Sequence, residues 1–270
     1  MQSPISHQYL ASSEHLASTQ YLALPQHLAL LTRHKLASFE QLWGYAGDWF
    51  EPPNRERGGW SGVNFIQLAN EAGTKLDMYL KRQQNFMRRS LRHPFAGEPT
   101  FLREFTILQY LAKHQINAPK IVFFATQANQ AILMTEALAG YLALDVWLAQ
   151  NPQMHIARKK MLISAIATTI KKLHQAGVQH RSLYPKHLFI KENDSSFDVA
   201  LIDFEKSRIT PLIAWLKLSD LITLSRRMPQ ISHAHKLFFL KQYFGVSKLN
   251  AGQKRLFRYL AQKTMLKNAK

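Results

Sequence analysis

With 270 residues and 46% apolar content, the chain can form one large domain or two lobes around a sizeable core, and is too hydrophobic for general disorder. It has no cysteine, which excludes disulfides, Cys-ligated zinc, iron–sulfur clusters and thiol catalysis. Thirty-five Lys and Arg against 17 Asp and Glu give a formal net charge of +18, which calls for an anionic partner such as nucleic acid, acidic lipid headgroups or a phosphorylated ligand.

Residues 1–50, rich in Ala, Leu, Gln and His, read as an irregular or weakly helical N-terminal extension with no assigned role. The first 20 residues lack a charged stretch followed by an apolar core, so no secretory signal is expected. Residues 51–62 contain Pro52, Pro53, Gly58, Gly59 and Gly62 and read as turn. Residues 63–68 and 75–82 alternate apolar and polar, predicting two strands joined as a hairpin. Residues 95–99 read as loop. A helix follows over 100–114, with Thr100 as N-cap and Phe101, Leu102, Phe105, Leu108 and Leu111 toward a core.

Residues 120–125 and 131–135 read as two more strands. The most apolar stretch, 131–149, is interrupted by Glu136 and Asp145 and is no membrane span, which needs about 20 mostly apolar residues. A long helix is predicted over 152–175, with Met161, Ile163, Ile166, Ile170 and Leu173 inward and Gly177 as its stop. Residues 188–191 and 199–203 form a short β pair, and the remainder is helical. Strands with one helix, then helices with one β pair, define an α+β chain in two lobes, with the break near residues 138–141.

Five features carry chemistry in one order. A turn of Arg57, Gly58, Gly59, Trp60, Ser61 and Gly62 precedes a strand, and glycines there let backbone N–H groups approach a phosphate. Lys81 lies near the end of the next strand, and Glu104 lies in the following helix. Separately these are an ordinary turn, surface lysine and solvated glutamate. In sequence they fit one task, in which the lysine holds nucleotide phosphates and the glutamate orients the lysine. The fourth feature runs from His180 through Arg181, Ser182, Tyr184 and His187. The fifth is Asp203 with Phe204 and Glu205, an aspartate after an apolar strand suited to magnesium.

At these positions the chain resembles a protein-kinase-like fold, a small β-rich N-lobe with one helix and a larger helical C-lobe. More narrowly it is similar to the bacterial lipopolysaccharide kinase family of Kdo/WaaP and InaA type, whose catalytic loop has the form His-Arg-Asp-x-Tyr-x-x-His-Phe. Here His180, Arg181, Ser182, Tyr184, His187 and, one residue on, Phe189 stand in that loop. The resemblance covers residues 57–227 and implies a fold divided as 51–138 and 139–270. It implies ATP and Mg²⁺ as cofactors. Gly58, Gly59, Ser61 and Gly62 would cover the phosphates, and Lys81 would pair with Glu104. Met134 would back the adenine pocket, with Thr135, Glu136 and the residues to Leu138 as hinge. Asp203 would bind the metal, joined by His187, while His180 and Arg181 support the loop.

Two departures matter. Ser182 stands where the family has the catalytic aspartate, and a neutral hydroxyl is no base near pH 7. General-base help is typically worth about 10²–10⁴-fold, so a weak enzyme, a route through His187, or a scaffold without turnover are the alternatives. Glu205 replaces the glycine of Asp-Phe-Gly, as in InaA-like sequences.

The charge is concentrated late: residues 206–270 hold 14 Lys and Arg and one acid, Asp220, a net +13, while the rest of the chain carries +5. Those cations alternate with Leu, Phe and Tyr, as on amphipathic helices. The leading expectation is a cytoplasmic kinase, peripheral at the inner membrane of a Gram-negative bacterium. Its substrate would be a sugar hydroxyl of the lipopolysaccharide core or a phosphorylated glycolipid. Nucleic acid is the weaker partner, since no zinc spacing, RNP aromatics or helix-turn-helix accompany the charge. An aminoglycoside- or choline-kinase type of phosphotransferase is a further alternative, from which Tyr184 and His187 point away.

Overall fold

The computed structural model describes residues 19–22, 25–56, 58–88, 97–210, 213–228 and 231–268, and their side chains except at 19–26, 88, 98, 213–217 and 263–268. Expectations for residues 1–18, for Arg57, for 95–96 and for the side chains of Lys263 and Lys267 lie outside these, as does Lys270. The chain divides into two compact units, 1–106 with 120–137, and 107–119 with 138–270.

Unit 1 is built on a six-stranded antiparallel sheet. Its strands are β1 (Thr19–Leu22), β2 (Trp49–Glu56), β3 (Gly59–Ala69), β4 (Lys75–Gln84), β7 (Ile121–Gln127) and β8 (Gln130–Glu136), in the order β1-β7-β8-β4-β3-β2. Helices α1 (Pro25–Arg33) and α2 (Phe39–Trp43) precede β2, while two-residue strands β5 (Met87–Arg88) and β6 (Glu98–Pro99) lead into α3 (Thr100–Lys113). The segment expected to be turn is therefore mostly strand. β2 tolerates Pro52 and Pro53 because it is the sheet's edge, where a missing N–H breaks no ladder, and its pairing with β3 shifts register on both sides of Glu51. Gly59, Ser61 and Gly62 lie inside β3, leaving Gly58 in the connection at φ +75°. A Cβ at Gly59 would stand 2.5 Å from the Gln84 carbonyl, and one at Gly62 would stand 2.6 Å from the Trp49 ring. Close packing within the sheet thus already requires both glycines.

Strand alternation gives the sheet two distinct faces. One face buries Ile66, Leu68, Met78, Leu80, Phe123, Ile132 and Met134 against Leu30, Leu31, Leu36, Phe39 and Leu42 from α1, α2 and their connection. Residues 25–43 are therefore core-forming, not an extension. Ser38 and Gln41 close a capping box on α2: Gln41 N–H donates to Ser38 Oγ, and Ser38 N–H to Gln41 Oε1. Burying leucines as fully as Leu31 and Leu42 is worth about 1.5–3 kcal/mol each. Arg82 points into this side, donating to the Trp43 carbonyl and to Asn64 Oδ1 at 2.8 Å, with its guanidinium 4.7 Å from the Trp49 ring centre. The opposite face carries Ser61, Val63 and Phe65 of β3, Tyr79 and Lys81 of β4, and Leu133 and Thr135 of β8, by their pairing.

Unit 2 is mainly helical. It holds β9 (Leu142–Ala143), α4 (Leu144–Gln150), α5 (Ile156–Gln175), β10 (Val178–Gln179), β11 (Leu188–Glu192), β12 (Phe197–Leu201) and β13 (Arg208–Ile209). α6 (Ile213–Arg227), α7 (His233–Phe244) and α8 (Ala251–Asn268) complete it. β11 pairs antiparallel with both β12 and β9. Gly177, at φ +79°, ends α5 as expected from its tolerance of left-handed backbone. Leu162, Ile163, Ile166, Ile170 and Leu173 are buried, but Met161 is exposed, because it lies five residues before Ile166, off the i, i+3, i+4 stripe on which Leu162 falls. Thr100 is the first helical residue of α3 rather than its cap, and its hydroxyl donates to Gln83 Oε1 at 2.7 Å. No helix among the described residues is long and apolar enough to cross a membrane.

Candidate active site

Unit 1 builds a charged pair on the α3 side of its sheet. Lys81 Nζ donates to both oxygens of Glu104, at 2.7 and 2.9 Å, and lies 5.9 Å from the Phe101 ring centre. Glu104 is 3% exposed, whereas the Lys81 side chain keeps about a fifth of its surface open. The carboxylate is held on the stretch of α3 that also buries Phe101 and Phe105, with Phe105 stacked on Phe124 at 4.1 Å between ring centres. Removing either partner strands the other charge, which is why such pairs hold their geometry. Strand parity separates neighbours: Lys81 serves this face, and Arg82 the α1–α2 core.

The same parity corrects the expected role of Met134. It pairs with Leu80 and lies in the α1–α2 core, on the face opposite Lys81; Thr135, opposite Tyr79, shares the Lys81 face. The Glu136 carboxylate is likewise committed, receiving His27 Nε2 at 2.8 Å with Lys120 Nζ at 3.6 Å. The His27 hydrogen bond holds its pKa below the usual value, against the opposing effect of burial.

Unit 2 gathers the remaining residues in the loop between β10 and β11. Asp220, 0% exposed, reaches from α6 and accepts the His180 N–H at 2.7 Å and the Arg181 N–H at 2.8 Å. His174 Nε2 lies 3.2 Å from the same carboxylate. Because a carboxylate only accepts, the His174 Nε2 carries the proton, and Nδ1 then accepts from the Tyr243 hydroxyl at 2.8 Å. Burial, with Asp220 second, pushes Tyr243 up to about 12, so it remains a donor. Sequence reasoning missed Asp220, His174 and Tyr243. The available signal was Asp220 as the single acid among 14 cations.

His180 is fully enclosed. Its Nε2 donates to the Ile202 carbonyl at 3.0 Å, leaving Nδ1 to face the Ser182 N–H at 3.3 Å. Burial pushes its pKa down to about 4; Asp220 opposes this, and His187 adds to it. Ser207 Oγ donates to the His180 carbonyl at 2.9 Å. His180 is thus a neutral strut. Arg181 is exposed and takes φ +66°, a left-handed conformation sustained by the Asp220 contact to its N–H.

His187 Nδ1 donates to the Ser182 carbonyl at 2.8 Å, which turns Nε2 toward Asp203 Oδ2 at 3.3 Å. Asp203 is just beyond β12, also at φ +66°, with its side chain 37% exposed. Ser182 is 2% exposed. The structure therefore brings His180, Arg181, Ser182, His187 and Asp203 together.

For magnesium the donor chemistry fits in part. Mg²⁺ ordinarily takes one or two carboxylates plus water and substrate phosphates, and Asp203 offers one accessible carboxylate. Among the described residues no group of three His, Asp or Glu forms a protein-only cage. For a nucleotide, the positioned Lys81 ammonium suits phosphate oxygens.

An antiparallel sheet with a lysine–glutamate pair, and a helical unit with a His-Arg loop ahead of a strand-end aspartate, define a kinase-like protein. Residues 40–243 match the model of the Lipopolysaccharide kinase (Kdo/WaaP) family, and the chain belongs to that family. It is 35% identical over 181 residues to Protein InaA of Escherichia coli (strain K12), covering 64% of this chain and 80% of that protein. It is 25% identical over 174 residues to the lipopolysaccharide core heptose(I) kinase WaaP of the same organism, covering 58% of this chain and 63% of WaaP. A solved structure titled "WaaP in complex with acyl carrier protein" matches with TM-score 0.68 and 19% identity, over 91% of this chain and 98% of that one, and establishes the shared fold.

Proposed function

We propose that the chain transfers the terminal phosphoryl group of ATP to a sugar hydroxyl of the lipopolysaccharide inner core, a heptose or Kdo. The observation that carries this reading is the Lys81–Glu104 pair at 2.7 Å, an ammonium held in place by a buried carboxylate. In this reading Lys81 binds the α- and β-phosphates, and Asp203 holds Mg²⁺, which would neutralise charge on the phosphates. The buried contacts from Asp220 to the His180 and Arg181 amides fix the loop that receives the acceptor. Phosphoryl transfer depends chiefly on positioning and electrostatics, so a loop this well scaffolded supports turnover even with Ser182 in place of a carboxylate. His187, with Nδ1 donating to the Ser182 carbonyl and Nε2 3.3 Å from Asp203 Oδ2, would be the alternative proton acceptor only in its neutral form.

The acceptor would dock on unit 2. Arg226, Arg227, Lys248, Lys254, Arg255 and Arg258 are exposed there, giving a cationic surface for a phosphorylated glycolipid or an anionic membrane leaflet.

Ser182 supports a second reading, a scaffold that binds nucleotide or lipid without turnover. One experiment separates them: ATP turnover by the purified chain with dephosphorylated lipopolysaccharide core as acceptor, with and without magnesium. The kinase reading expects acceptor- and magnesium-dependent ADP release. Nucleotide-dependent thermal stabilisation without release selects the scaffold.

A further inference from the structure

Tyr184 lies in the loop of unit 2 and is not used by the chemistry above. Its backbone is fixed at both ends of a tight turn: its N–H donates to the Ser182 carbonyl at 2.7 Å, and its carbonyl accepts the His187 N–H at 2.9 Å. Its ring centre is 5.3 Å from that of His187, whose Nε2 is 3.3 Å from Asp203. Over the Tyr184 ring lies the guanidinium of Arg227, the last residue of α6, 4.9 Å from the ring centre. Arg227 is exposed, and among the described residues no carboxylate pairs with it. A helix-end arginine would ordinarily sweep through solvent. Here a cation–π contact with the aromatic face restrains the guanidinium, whose fork of N–H donors matches a two-oxygen anion.

The surroundings favour an anion. From His180 through Lys191 there is no acid, while Arg181 and Lys186 are exposed. The family's aspartate position is the neutral Ser182, which leaves the loop itself without a carboxylate; Asp203, 3.3 Å from His187 Nε2, faces it from beyond β12. Arg227 and Tyr184 are therefore placed to act on the acceptor, on the loop that carries Ser182 and His187.

We propose that Arg227, lying over the Tyr184 ring, is a specificity-determining residue that binds an anionic substituent, a phosphate or a carboxylate, on the sugar acceptor. The Arg227 fork would take two oxygens of that group, and Tyr184 would hold the fork in register. This rests on the phosphotransferase reading above, and its test is made by binding rather than by turnover so that the two stand or fall separately.

The probe is inner-core oligosaccharide released from lipopolysaccharide by deacylation. It is titrated by calorimetry into the full chain in three forms: with its phosphates, after phosphatase, and after phosphatase with its carboxyl groups reduced to alcohols. The wild type should lose about tenfold or more in affinity at one of the two removals, as expected for a charge-assisted hydrogen-bonded pair. The step at which it falls identifies phosphate or carboxylate as the group bound. Arg227→Ala and Tyr184→Leu should bind all three forms alike, whereas Tyr184→Phe, which keeps the aromatic face, should retain the wild-type preference. Melting curves confirm that each variant folds. A preference of undiminished size in Arg227→Ala overturns the proposal, as does a wild type that binds none of the forms or the neutral form as tightly as the charged one. A preference without ADP release keeps the subsite and removes the kinase reading; ADP release without a preference does the reverse.

Discussion

In unit 1 the buried carboxylate, Glu104, holds the side chain of a cation; in unit 2 the buried carboxylate, Asp220, holds two backbone amides, and the position nearest the expected chemistry is a neutral serine. On the proposed reading, one unit keeps the group that would meet the nucleotide, and the other keeps the frame around the catalytic position while Ser182 stands in that position. The contrast teaches that positioning and acid–base function are separable here. A frame made of buried hydrogen bonds resists substitution because each lost partner leaves a polar group stranded, at about 1–3 kcal/mol or more. Ser182 joins that frame through its backbone, its N–H facing His180 Nδ1 and its carbonyl accepting from His187, so the side chain can differ while those contacts stay.

The largest effect should come from breaking the frame. Asp220→Ala leaves the His180 and Arg181 amides and the His174 ring without their shared acceptor, and should cost about 3–5 kcal/mol of stability by denaturant titration. Loss of less than about 1 kcal/mol would mean that water replaces the carboxylate and that the frame is not what fixes the loop.

Next is the pair on the sheet. Lys81→Ala should remove ATP-dependent thermal stabilisation and lower any ATP turnover by about 10²–10³-fold, the range for loss of one preorganised electrostatic contact. Arg82→Ala, one residue away on the other face, should lower stability while leaving the ATP response of the folded fraction intact. Equal loss of the ATP response in both variants would break the assignment of the two faces.

Ser182→Asp addresses the changed group directly. It should raise turnover about 10²-fold, the low end of what a positioned base contributes. No gain would assign proton acceptance to His187 or favour the scaffold reading.

How far these features were visible beforehand follows from their physics. The hairpin, α3, α5 and the β11–β12 pair have periodic apolar patterns, and Lys81, Glu104, His180 and Asp203 fall in a recognisable order, so both were legible. β2 was not, because two prolines mark a turn unless the strand's edge position is known. Helices α1 and α2 were missed because they are short, 9 and 5 residues, and acquire their stability from packing on the sheet. Met134 and Thr135 are adjacent, and only the register between β4 and β8 decides which of them shares a face with Lys81. Asp220 and Tyr243 act over 39 residues or more of sequence from the groups they hold, and no local pattern encodes that.

The smallest effect concerns pH and again separates the units. In unit 2, His180 has its folded pKa lowered from 6.5 to about 4 by burial. The unfolded chain therefore binds a proton that the folded chain refuses between those values. The contribution of His180 is fully present above pH 6.5 and is lost as pH falls toward 4, by about 2 kcal/mol between pH 7 and pH 5. In unit 1, Glu136 has a lowered pKa through its His27 hydrogen bond, so its contribution is retained above the ordinary carboxylate value of 4.5 and is lost only below it. Hydrogen exchange at pH 7 and pH 5, corrected for intrinsic rates, should show the amides of residues 180–182 losing protection while those of β4 and β8 keep more of theirs. His180→Asn should flatten the unit 2 response, because it removes the titrating ring. An unchanged pH response in that variant would assign the loss to another group and remove His180 from the frame's acid sensitivity.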